Sequence, residues 1–265
     1  MDMSMEKWYE ASSKRFSVRK YKSEPRREDI ESLKEFASEI STDSVRIEIG
    51  SSDKVFASRL LGSGKIKGTT YFAAFISEEG KTMEIGYIGE IFMLECVARN
   101  IGTCWLGVSF RMGAAQEAID LSDEEGIVCI TPLGISDEPF KLRTRRTMTD
   151  LTGLSVQDFV KLPRHIQSAF ECARRAPSAI NAQPWSFKSD GDTFSVIKTS
   201  NNLGYGDLDC GIAMLHAEIG AAHHSVVGEW DLTDEKESVF IPYTDVESEN
   251  EVSIPEKIEN FEDKM

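Results

Sequence analysis

Residues 175–185, which we call the corner, read Arg-Ala-Pro-Ser-Ala-Ile-Asn-Ala-Gln-Pro-Trp and decide the fold. A helical pattern ends before Pro177, and Pro184 and Trp185 begin a strand, so we expect a rigid turn between them. The turn presents a serine, an asparagine and a glutamine side by side. Such neutral donors and acceptors suit the edge of a flat heteroaromatic ring. A plain helix–turn–strand junction is the alternative, and Trp185 itself is expected to anchor the core.

Outward from the corner, the spacing of apolar residues divides the chain into helices and strands. Helices are predicted over residues 25–41, 85–101, 163–175 and 208–225, with Gly102 as the C-cap of the second. Strands are predicted over residues 45–49, 70–77 and 126–135, and a hairpin over 186–198 around Asp190-Gly191. A proline inside 126–135 indicates an edge strand or a bend. The mixture predicts an α+β fold.

Two segments of the chain resemble each other, which indicates an internal duplication. Residues 30–37 and 166–173 share Ile-x-Ser-x-x-Glu-x-Ala, and residues 91–94 and 212–215 share Ile-x-Met-Leu. Two related half-domains in one chain can imitate a two-fold dimer around long buried helices. The predicted divisions are a first half over 1–153, a second half over 154–245 and an acidic tail over 246–265.

The chain is acidic, and its formal net charge of −15 argues against nucleic acid as a partner. The acidic tail is expected to wrap the surface or to be partly disordered. Two short stretches run the other way: residues 14–22 hold five bases and residues 141–146 hold four, with no acid in either. Each stretch is either a solvated basic face or a site for a phosphate group.

The first basic stretch contains Arg15-Phe-Ser17-Val-Arg19. In an extended backbone alternate side chains share a face, so Arg15, Ser17 and Arg19 are expected to converge on one anion. Two guanidinium groups and a hydroxyl suit a terminal phosphate. The same pattern also fits a kinase target or a surface strand.

The long helix 85–101 leads into residues 100–107, Asn-Ile-Gly-Thr-Cys-Trp-Leu-Gly, which we call the exit segment. Gly107 would let the backbone approach a ligand closely. A simple exit from a helix explains the segment equally well.

Other residue types exclude several kinds of protein. The five cysteines are an odd number without a CxxC pair, which indicates buried, reduced thiols and no metal site. His216 lies in an apolar pattern and is expected to be a core histidine. No apolar run is long enough to cross a bilayer and the first residues are not a secretory signal, so we expect a cytoplasmic protein that does not bind membranes.

Taken together, these segments resemble the nitroreductase, or flavin reductase, family of FMN enzymes. That family has an Arg-x-Ser-x-Arg/Lys stretch, a Pro-Ser-x-x-Asn-x-Gln-Pro-Trp run and a long helix with a Gly-Thr-x-Trp-x-Gly exit. The matches cover roughly residues 15–230. The order departs from the family, because the Pro-Ser-x-x-Asn run lies in the second half, which lacks its own arginine stretch. The chain thus resembles the fused, pseudo-dimeric members, and we expect one complete and one decayed site.

The resemblance implies an FMN oxidoreductase with the chemistry at flavin N5 and no residue that qualifies as an acid or base. NADH or NADPH would reduce the flavin, and a nitroaromatic or quinone-like acceptor would then oxidise it in a ping-pong cycle. Arg15, Ser17 and Arg19 would hold the phosphate, with Arg143 or Arg145 adding charge. Backbone at Leu106 and Gly107 would approach N5. The ring or ribityl chain would meet Pro177, Ser178, Ala179 and Asn181.

Two other functions are compatible with the sequence. The same fold could hold a flavin or another nucleotide without catalysis, since one site is lost and no substrate-specific residue can be named. A relic without flavin is the third alternative, against which the clustered bases argue because like charges repel without a counter-anion. The resemblance implies a small-molecule substrate and one FMN per chain, and the fused chain can be monomeric.

Overall fold

A computed structural model describes residues 3–57, 66–78 and 82–243 of the chain. The acidic tail predicted over 246–265 lies outside the described residues. In the part that the structure describes, no helix is long and apolar enough to cross a membrane.

Helices and strands alternate in groups along the chain, as an α+β fold requires. The helices are α1 (Met3–Lys14), α2 (Arg27–Ile40), α3 (Thr82–Ala98), α4 (Met112–Gln116), α5 (Met148–Thr152), α6 (Val156–Phe159), α7 (Arg164–Arg175) and α8 (Gly206–Ala222). The strands are β1 (Tyr21–Ser23), β2 (Val45–Ser51), β3 (Tyr71–Ser77), β4 (Gly126–Pro132), β5 (Ile135–Ser136), β6 (Trp185–Asp190), β7 (Thr193–Lys198), β8 (Gly228–Asp231) and β9 (Glu237–Pro242). The predicted helices and strands are present, although the strand over 126–135 is interrupted, whereas α1, α4, α5, α6, β1, β8 and β9 add to them.

The chain forms two compact units that interleave in sequence. The corner unit consists of Met1–Ser13, Thr82–Ile91 and Thr144–Met265, and the arginine unit of Lys14–Lys81 and Phe92–Arg143. The boundaries between these units do not coincide with the single boundary after residue 153 that the sequence repeats predict. The division into duplicated halves therefore stays a prediction about sequence ancestry, separate from the compact units.

The corner unit is built on an antiparallel sheet in the order β6-β7-β9-β8. Helix α7 turns an apolar stripe inward, and the ring of Phe170 stacks on Phe187 of β6 with the centroids 5.0 Å apart. Phe194 of β7 lies at the centre of the aromatic core, stacked on Phe240 and edge-on to Trp230. Burial of these large rings is the main force that holds the sheet against the helix.

Helices α3 and α8 approach each other closely inside the corner unit because glycines lie where they meet. A Cβ on Gly86 would be 2.1 Å from the carbonyl oxygen of Leu208. A Cβ on Gly211 would be 2.0 Å from the carbonyl oxygen of Met83. Backbone therefore packs directly on backbone, and α8 is buried along nearly its whole length.

The arginine unit contains a three-stranded antiparallel sheet, β2-β3-β4, and a separate pair, β1 with β5. The sequence predicts one strand over 126–135, but the chain breaks after Pro132 and resumes as β5. The break is the bend that a proline inside the run indicates, because Pro132 cannot donate to a ladder. It lets β5 leave the sheet and pair with β1.

The end of α3 corrects one prediction about capping. Gly102 is not the C-cap, because the helix ends at Ala98 and the left-handed residue is Asn100, with φ of 62°. The N–H of Ile101 donates to the Cys96 carbonyl at 2.8 Å, and that of Asn100 to Val97 at 2.9 Å. These two bonds form a Schellman motif, in which asparagine can replace glycine.

Candidate functional site

The arginine stretch follows α1 directly and lies beside the exit segment in the arginine unit. The N–H of Val18 donates to the Thr103 carbonyl at 2.9 Å, and Ser17 forms a parallel bridge with Thr103. Phe16 and Val18 both pack on the same hydrophobic cluster. Because successive residues of an extended chain point to opposite faces, Ser17 and Arg19 are directed to the face opposite Phe16 and Val18.

The thiol of Cys104, in the exit segment, lies in the electrostatic field of Arg15 and Arg19 and within hydrogen-bond reach of Ser17. Burial raises the pKa of this thiol, whereas the positive charge of Arg19, the hydroxyl of Ser17 through a hydrogen bond and the charge of Arg15 lower it. The net effect raises the pKa, so Cys104 stays a neutral thiol. Arg15 is buried, while Ser17 and Arg19 are half-buried.

A carboxylate brings the two basic stretches of the sequence together. Glu138 accepts hydrogen bonds from the backbone N–H groups of Arg19 at 2.6 Å and Lys20 at 3.0 Å, and from Lys141 Nζ at 2.5 Å. The ammonium of Lys141 and these N–H groups lower the pKa of Glu138 to about 2. The first stretch therefore has a counter-anion within the protein, which weakens the argument that clustered bases require a bound phosphate.

Most backbone amides of the exit segment are hydrogen-bonded within the protein, whereas one of its hydroxyls has no partner among the described residues. Leu106 exchanges hydrogen bonds with Ile130 of β4, donating at 2.9 Å and accepting at 3.0 Å. Thr103 Oγ1 is buried and has no hydrogen-bond partner among residues 3–57, 66–78 and 82–243. Buried hydroxyls normally find a partner, so Thr103 is a candidate for contact with a ligand.

In the corner, Arg145 clamps the turn of Asn181. Arg145 Nη1 donates to Asn181 Oδ1 at 2.5 Å and Nη2 to the Arg175 carbonyl at 3.0 Å. The amide nitrogen of Asn181 donates to the Thr144 carbonyl at 3.1 Å. Arg145 and Asn181 thus hold each other, and the side-chain amide of Asn181 keeps one acceptor lone pair and one N–H beyond these bonds.

Gln183 and Trp185 complete the corner as structural residues. The side-chain oxygen of Gln183 accepts from the backbone N–H of Arg146 at 2.8 Å, and its nitrogen donates to the Asn181 carbonyl at 3.1 Å. Trp185 is fully buried, which confirms its prediction as a core anchor. The glutamine of the motif therefore ties the turn to the chain around Arg146.

The turn itself has unusual backbone conformations. Ile180, Asn181 and Gln183 have φ of 50°, 61° and 50°, in the left-handed region that side chains rarely adopt. Ile180 is β-branched, and its side chain is 79% exposed. No burial offsets the strain at Ile180, and such outliers concentrate at functional sites.

A buried carboxylate supports the turn from α8. Asp209 accepts from the backbone N–H of Ala179 at 2.9 Å and from Asn202 Nδ2 at 2.6 Å. Burial raises the pKa of Asp209 to about 6, although both hydrogen bonds lower it. Asn202 also donates to the Ala179 carbonyl at 3.1 Å, so Asp209 binds the backbone N–H of Ala179 and Asn202 binds its carbonyl.

The structure distributes the predicted site residues between the two units. The arginine unit holds Arg15, Ser17, Arg19, Leu106, Gly107 and Arg143, and the corner unit holds Arg145, Pro177, Ser178, Ala179 and Asn181. Sequence reasoning placed Thr103 and Cys104 in the exit segment without giving them a role, and it missed Glu138, Asn202 and Asp209. No local signal marks Glu138, Asn202 and Asp209, because each acts on a segment that is distant in the sequence.

The five cysteines of the chain form no disulfide bond. All five cysteines are free and buried, so the prediction of buried thiols is confirmed. Within the described ranges, no group of three or more His, Cys, Asp or Glu side chains could hold a metal ion.

Comparison with known proteins finds a family and a solved structure that match most of the chain. The family model described as "Putative TM nitroreductase" matches residues 7–221. The crystal structure of a putative nitroreductase from Thermotoga maritima MSB8 is 21% identical, with a TM-score of 0.61 over 88% of this chain and 93% of that one. This likeness shows a nitroreductase-like α+β fold. No curated protein sequence matches the chain.

Two shorter structures match about half of the chain. A nitroreductase family protein from Clostridium novyi NT is 17% identical, with a TM-score of 0.41 over 49% of this chain and 86% of that one. An FMN-dependent nitroreductase from Clostridium difficile R20291 is 18% identical, with a TM-score of 0.41 over 51% of this chain and 90% of that one.

Proposed function

Because the chain belongs to the family described as "Putative TM nitroreductase", we propose that it is an FMN-dependent oxidoreductase. It takes hydride from NADH or NADPH and reduces a small nitroaromatic or quinone-like acceptor in a ping-pong cycle. The observation that carries the proposal is the pairing of the arginine stretch with the exit segment, where the N–H of Val18 donates to the Thr103 carbonyl at 2.9 Å and Thr103 Oγ1 is buried without a partner among the described residues. Bound FMN supplies the two-electron chemistry, and the chain supplies binding, orientation and charge.

The donors of the arginine unit fit a flavin phosphate. Two guanidinium groups and a hydroxyl match the acceptor oxygens of a phosphate, and Arg15 is already desolvated. Thr103 Oγ1 adds a buried hydroxyl that has no partner among the described residues. Glu138 keeps the backbone of Arg19 fixed through its N–H. The residues present therefore fit an anionic group at this place.

Arg143 is the better candidate than Arg145 for the additional charge at the phosphate. Arg143 is exposed and belongs to the arginine unit, together with Arg15 and Arg19. Arg145 is committed to Asn181 and to the Arg175 carbonyl. In this proposal Arg143 contributes charge at the phosphate, and Arg145 holds the corner in shape.

The corner is proposed to contribute the contacts with the ring or ribityl chain from the second half of the duplicated chain. Pro177, Ser178 and Ala179 precede the strained turn, and Asn181 retains one donor and one acceptor beyond its bonds to the protein. Leu106 donates its N–H to Ile130, so the approach of backbone to N5 falls to Gly107. The proposed stoichiometry is one FMN per chain, bound by an intrachain pseudo-dimer that can be monomeric.

A double substitution tests the phosphate assignment. Arg15→Ala with Arg19→Ala is expected to cost about 1.5–3 kcal/mol of FMN affinity for each charged hydrogen bond removed. Arg27→Ala with Lys34→Ala is the matched control, because both residues are exposed on α2 of the same unit and their replacement also removes two positive charges. Equal FMN affinity in the double variant and the control would refute the assignment.

A non-catalytic flavin-binding protein is the second candidate. The observation that favours it is the chemistry of the described site side chains, because Arg15, Ser17, Arg19 and Thr103 can hold an anion and none of them is a general acid or base for a substrate. Anaerobic addition of NADH or NADPH to the flavin-loaded protein separates the two. Bleaching followed by reoxidation with a quinone supports the oxidoreductase, whereas persistent yellow colour supports the binding protein.

A further inference from the structure

A cysteine, a histidine and a glutamate form a line in the corner unit, among residues that the proposed function does not use. Cys172 Sγ of α7 lies 3.8 Å from His216 Nδ1 of α8, and His216 Nε2 lies 2.9 Å from Glu90 Oε1 of α3. All three side chains are buried. His216 is confirmed as a core histidine, but it is a core histidine with a thiol on one nitrogen and a carboxylate on the other.

The carboxylate fixes which nitrogen of the imidazole carries the proton. Glu90 accepts from Nε2–H, so Nδ1 presents its lone pair to the thiol of Cys172. If the thiol proton moves to Nδ1, Glu90 stabilises the resulting imidazolium from the opposite side. A nucleophile, a base and a group that orients the base are the three parts of an activated thiol.

Two further groups favour a sulfur anion. Ser12 Oγ of α1 lies 3.4 Å from Cys172 Sγ and donates to the Tyr9 carbonyl at 2.7 Å, and rotation of the hydroxyl turns that proton toward sulfur. Arg175, on the same helix as Cys172, adds positive charge. Burial raises the pKa of Cys172, but His216, Arg175 and Ser12 outweigh burial and lower it overall.

The other four cysteines provide an internal comparison. Cys96, Cys104, Cys129 and Cys210 are as buried as Cys172, with exposures of 0–2%. Burial raises the pKa of each of them. Exposure therefore does not distinguish the five thiols, whereas the neighbouring imidazole does.

We propose that Cys172 is a peroxide-sensitive modification site, in which His216 acts as base and Glu90 as the group that orients it. The thiol proton passes to His216 Nδ1, and the sulfur attacks one oxygen of hydrogen peroxide while the O–O bond breaks. The sulfur is oxidised by two electrons to sulfenic acid, and the leaving hydroxide takes the proton from His216 to become water. Hydrogen peroxide is the only co-reactant.

The test measures all five cysteines in one sample. The intact protein is treated with hydrogen peroxide in the presence of dimedone, which traps sulfenic acid, and each cysteine-containing peptide is quantified by mass spectrometry over time. Cys172 is expected to be labelled at least about tenfold faster than Cys129, the ratio that one pKa unit of thiolate fraction gives. Equal rates at Cys172 and Cys129 would overturn the proposal.

A variant separates activation by His216 from differences in local opening. His216→Gln removes the base, and the labelling rate at Cys172 is expected to fall about tenfold. His224→Gln is the matched control, because His224 is exposed just after the end of α8. This substitution should leave the labelling rate at Cys172 unchanged. An unchanged rate in folded His216→Gln would contradict the proposed base.

If circular dichroism shows that His216→Gln does not fold, the pH profile of the unsubstituted protein decides. The groups that face Cys172 are Ser12, His216 with Glu90 behind it, and Arg175. The labelling rate at Cys172 should reach its plateau at lower pH than the rate at Cys129. A plateau at the same pH for both would reject activation of Cys172.

Discussion

The guanidinium of Arg145 and the side-chain oxygen of Asn181 are joined by a hydrogen bond of 2.5 Å. Asn181 has φ of 61°, and the second guanidinium nitrogen of Arg145 holds the Arg175 carbonyl at the end of α7. A single arginine therefore connects the end of a helix to a left-handed turn. The shape of the corner depends on this connection as much as on its prolines.

A double-mutant cycle on this pair is expected to show direct coupling. Arg145→Ala should destabilise the protein by roughly 1.5–3 kcal/mol, because it removes a charged hydrogen bond from a half-buried turn. With Asn181→Ala, the coupling energy from urea unfolding should be about 1 kcal/mol. The control cycle uses Arg174→Ala, since Arg174 pairs with Glu171 instead. Coupling near zero in both cycles would mean that the Arg145 bond is absent in solution.

The crossing of α3 and α8 predicts a large effect of one methyl group. Gly211→Ala would place a Cβ 2.0 Å from the Met83 carbonyl oxygen, so the helices must separate. We expect destabilisation of at least about 2 kcal/mol, with a matching fall in the thermal midpoint. Gly113→Ala in α4 is the control, because its Cβ would meet nothing within 4 Å. Similar stability of the two variants would contradict the close approach.

Relief of strain at Ile180 is expected to stabilise the protein. Ile180→Asn loses little burial, since Ile180 is 79% exposed, and asparagine tolerates the left-handed conformation better. The expected gain is about 1 kcal/mol in the free energy of unfolding. Val160→Asn, at a 59% exposed residue with φ of −70°, is the control and should not stabilise. A loss of stability in Ile180→Asn would show that the isoleucine makes contacts that offset its strain.

The raised pKa of Asp209 predicts a pH dependence with a definite sign. Burial raises this pKa from 3.8 to about 6, so the folded protein binds the proton more tightly than the unfolded chain. The contribution of Asp209 to stability is complete below pH 3.8 and is lost as the pH rises through about 6. Asp209→Asn should remove this loss. The measurement is the difference in unfolding free energy between the two proteins from pH 4.5 to pH 6.5.

Two other carboxylates explain the choice of that pH range. Glu125 and Glu138 have pKa values lowered to about 2, chiefly by hydrogen bonds from Arg46 and Lys141 respectively, against an ordinary value of 4.5. Their contributions to stability are present above pH 4.5 and are lost as the pH falls toward 2. Above pH 4.5 their effect is nearly constant. A difference that does not change between pH 4.5 and 6.5 would argue against a titrating Asp209.

Local periodicity predicted most of the fold because it is a property of short segments. The apolar stripe of α7 and the buried run of α8 are visible in the sequence, and both helices lie where they were predicted. Helix α1 carries a weaker signal, with Met5, Trp8 and Ala11 buried among charged neighbours. The predicted C-cap of α3 was wrong, because glycine is the usual left-handed residue at a helix end, whereas here Asn100 adopts that conformation.

The candidate site was predictable where a motif is local, and hidden where it depends on tertiary contacts. Alternation within the arginine stretch placed Ser17 and Arg19 on one face. Glu138 and Asp209 could not be found in this way. Glu138 lies 119 residues from Arg19, whose backbone it supports, and Asp209 lies 30 residues from Ala179. The line from Cys172 through His216 to Glu90 is equally invisible, because three separate helices contribute to it.

The central claim is that this chain binds one FMN through its arginine stretch. The most direct measurement is an equilibrium titration of the flavin-free protein with FMN. Quenching of the flavin fluorescence monitors binding and gives the number of sites per chain. The account predicts a single class of site with one FMN per chain, weakened when Arg15 and Arg19 are both replaced by alanine. No saturable binding, or two equivalent sites per chain, would contradict it.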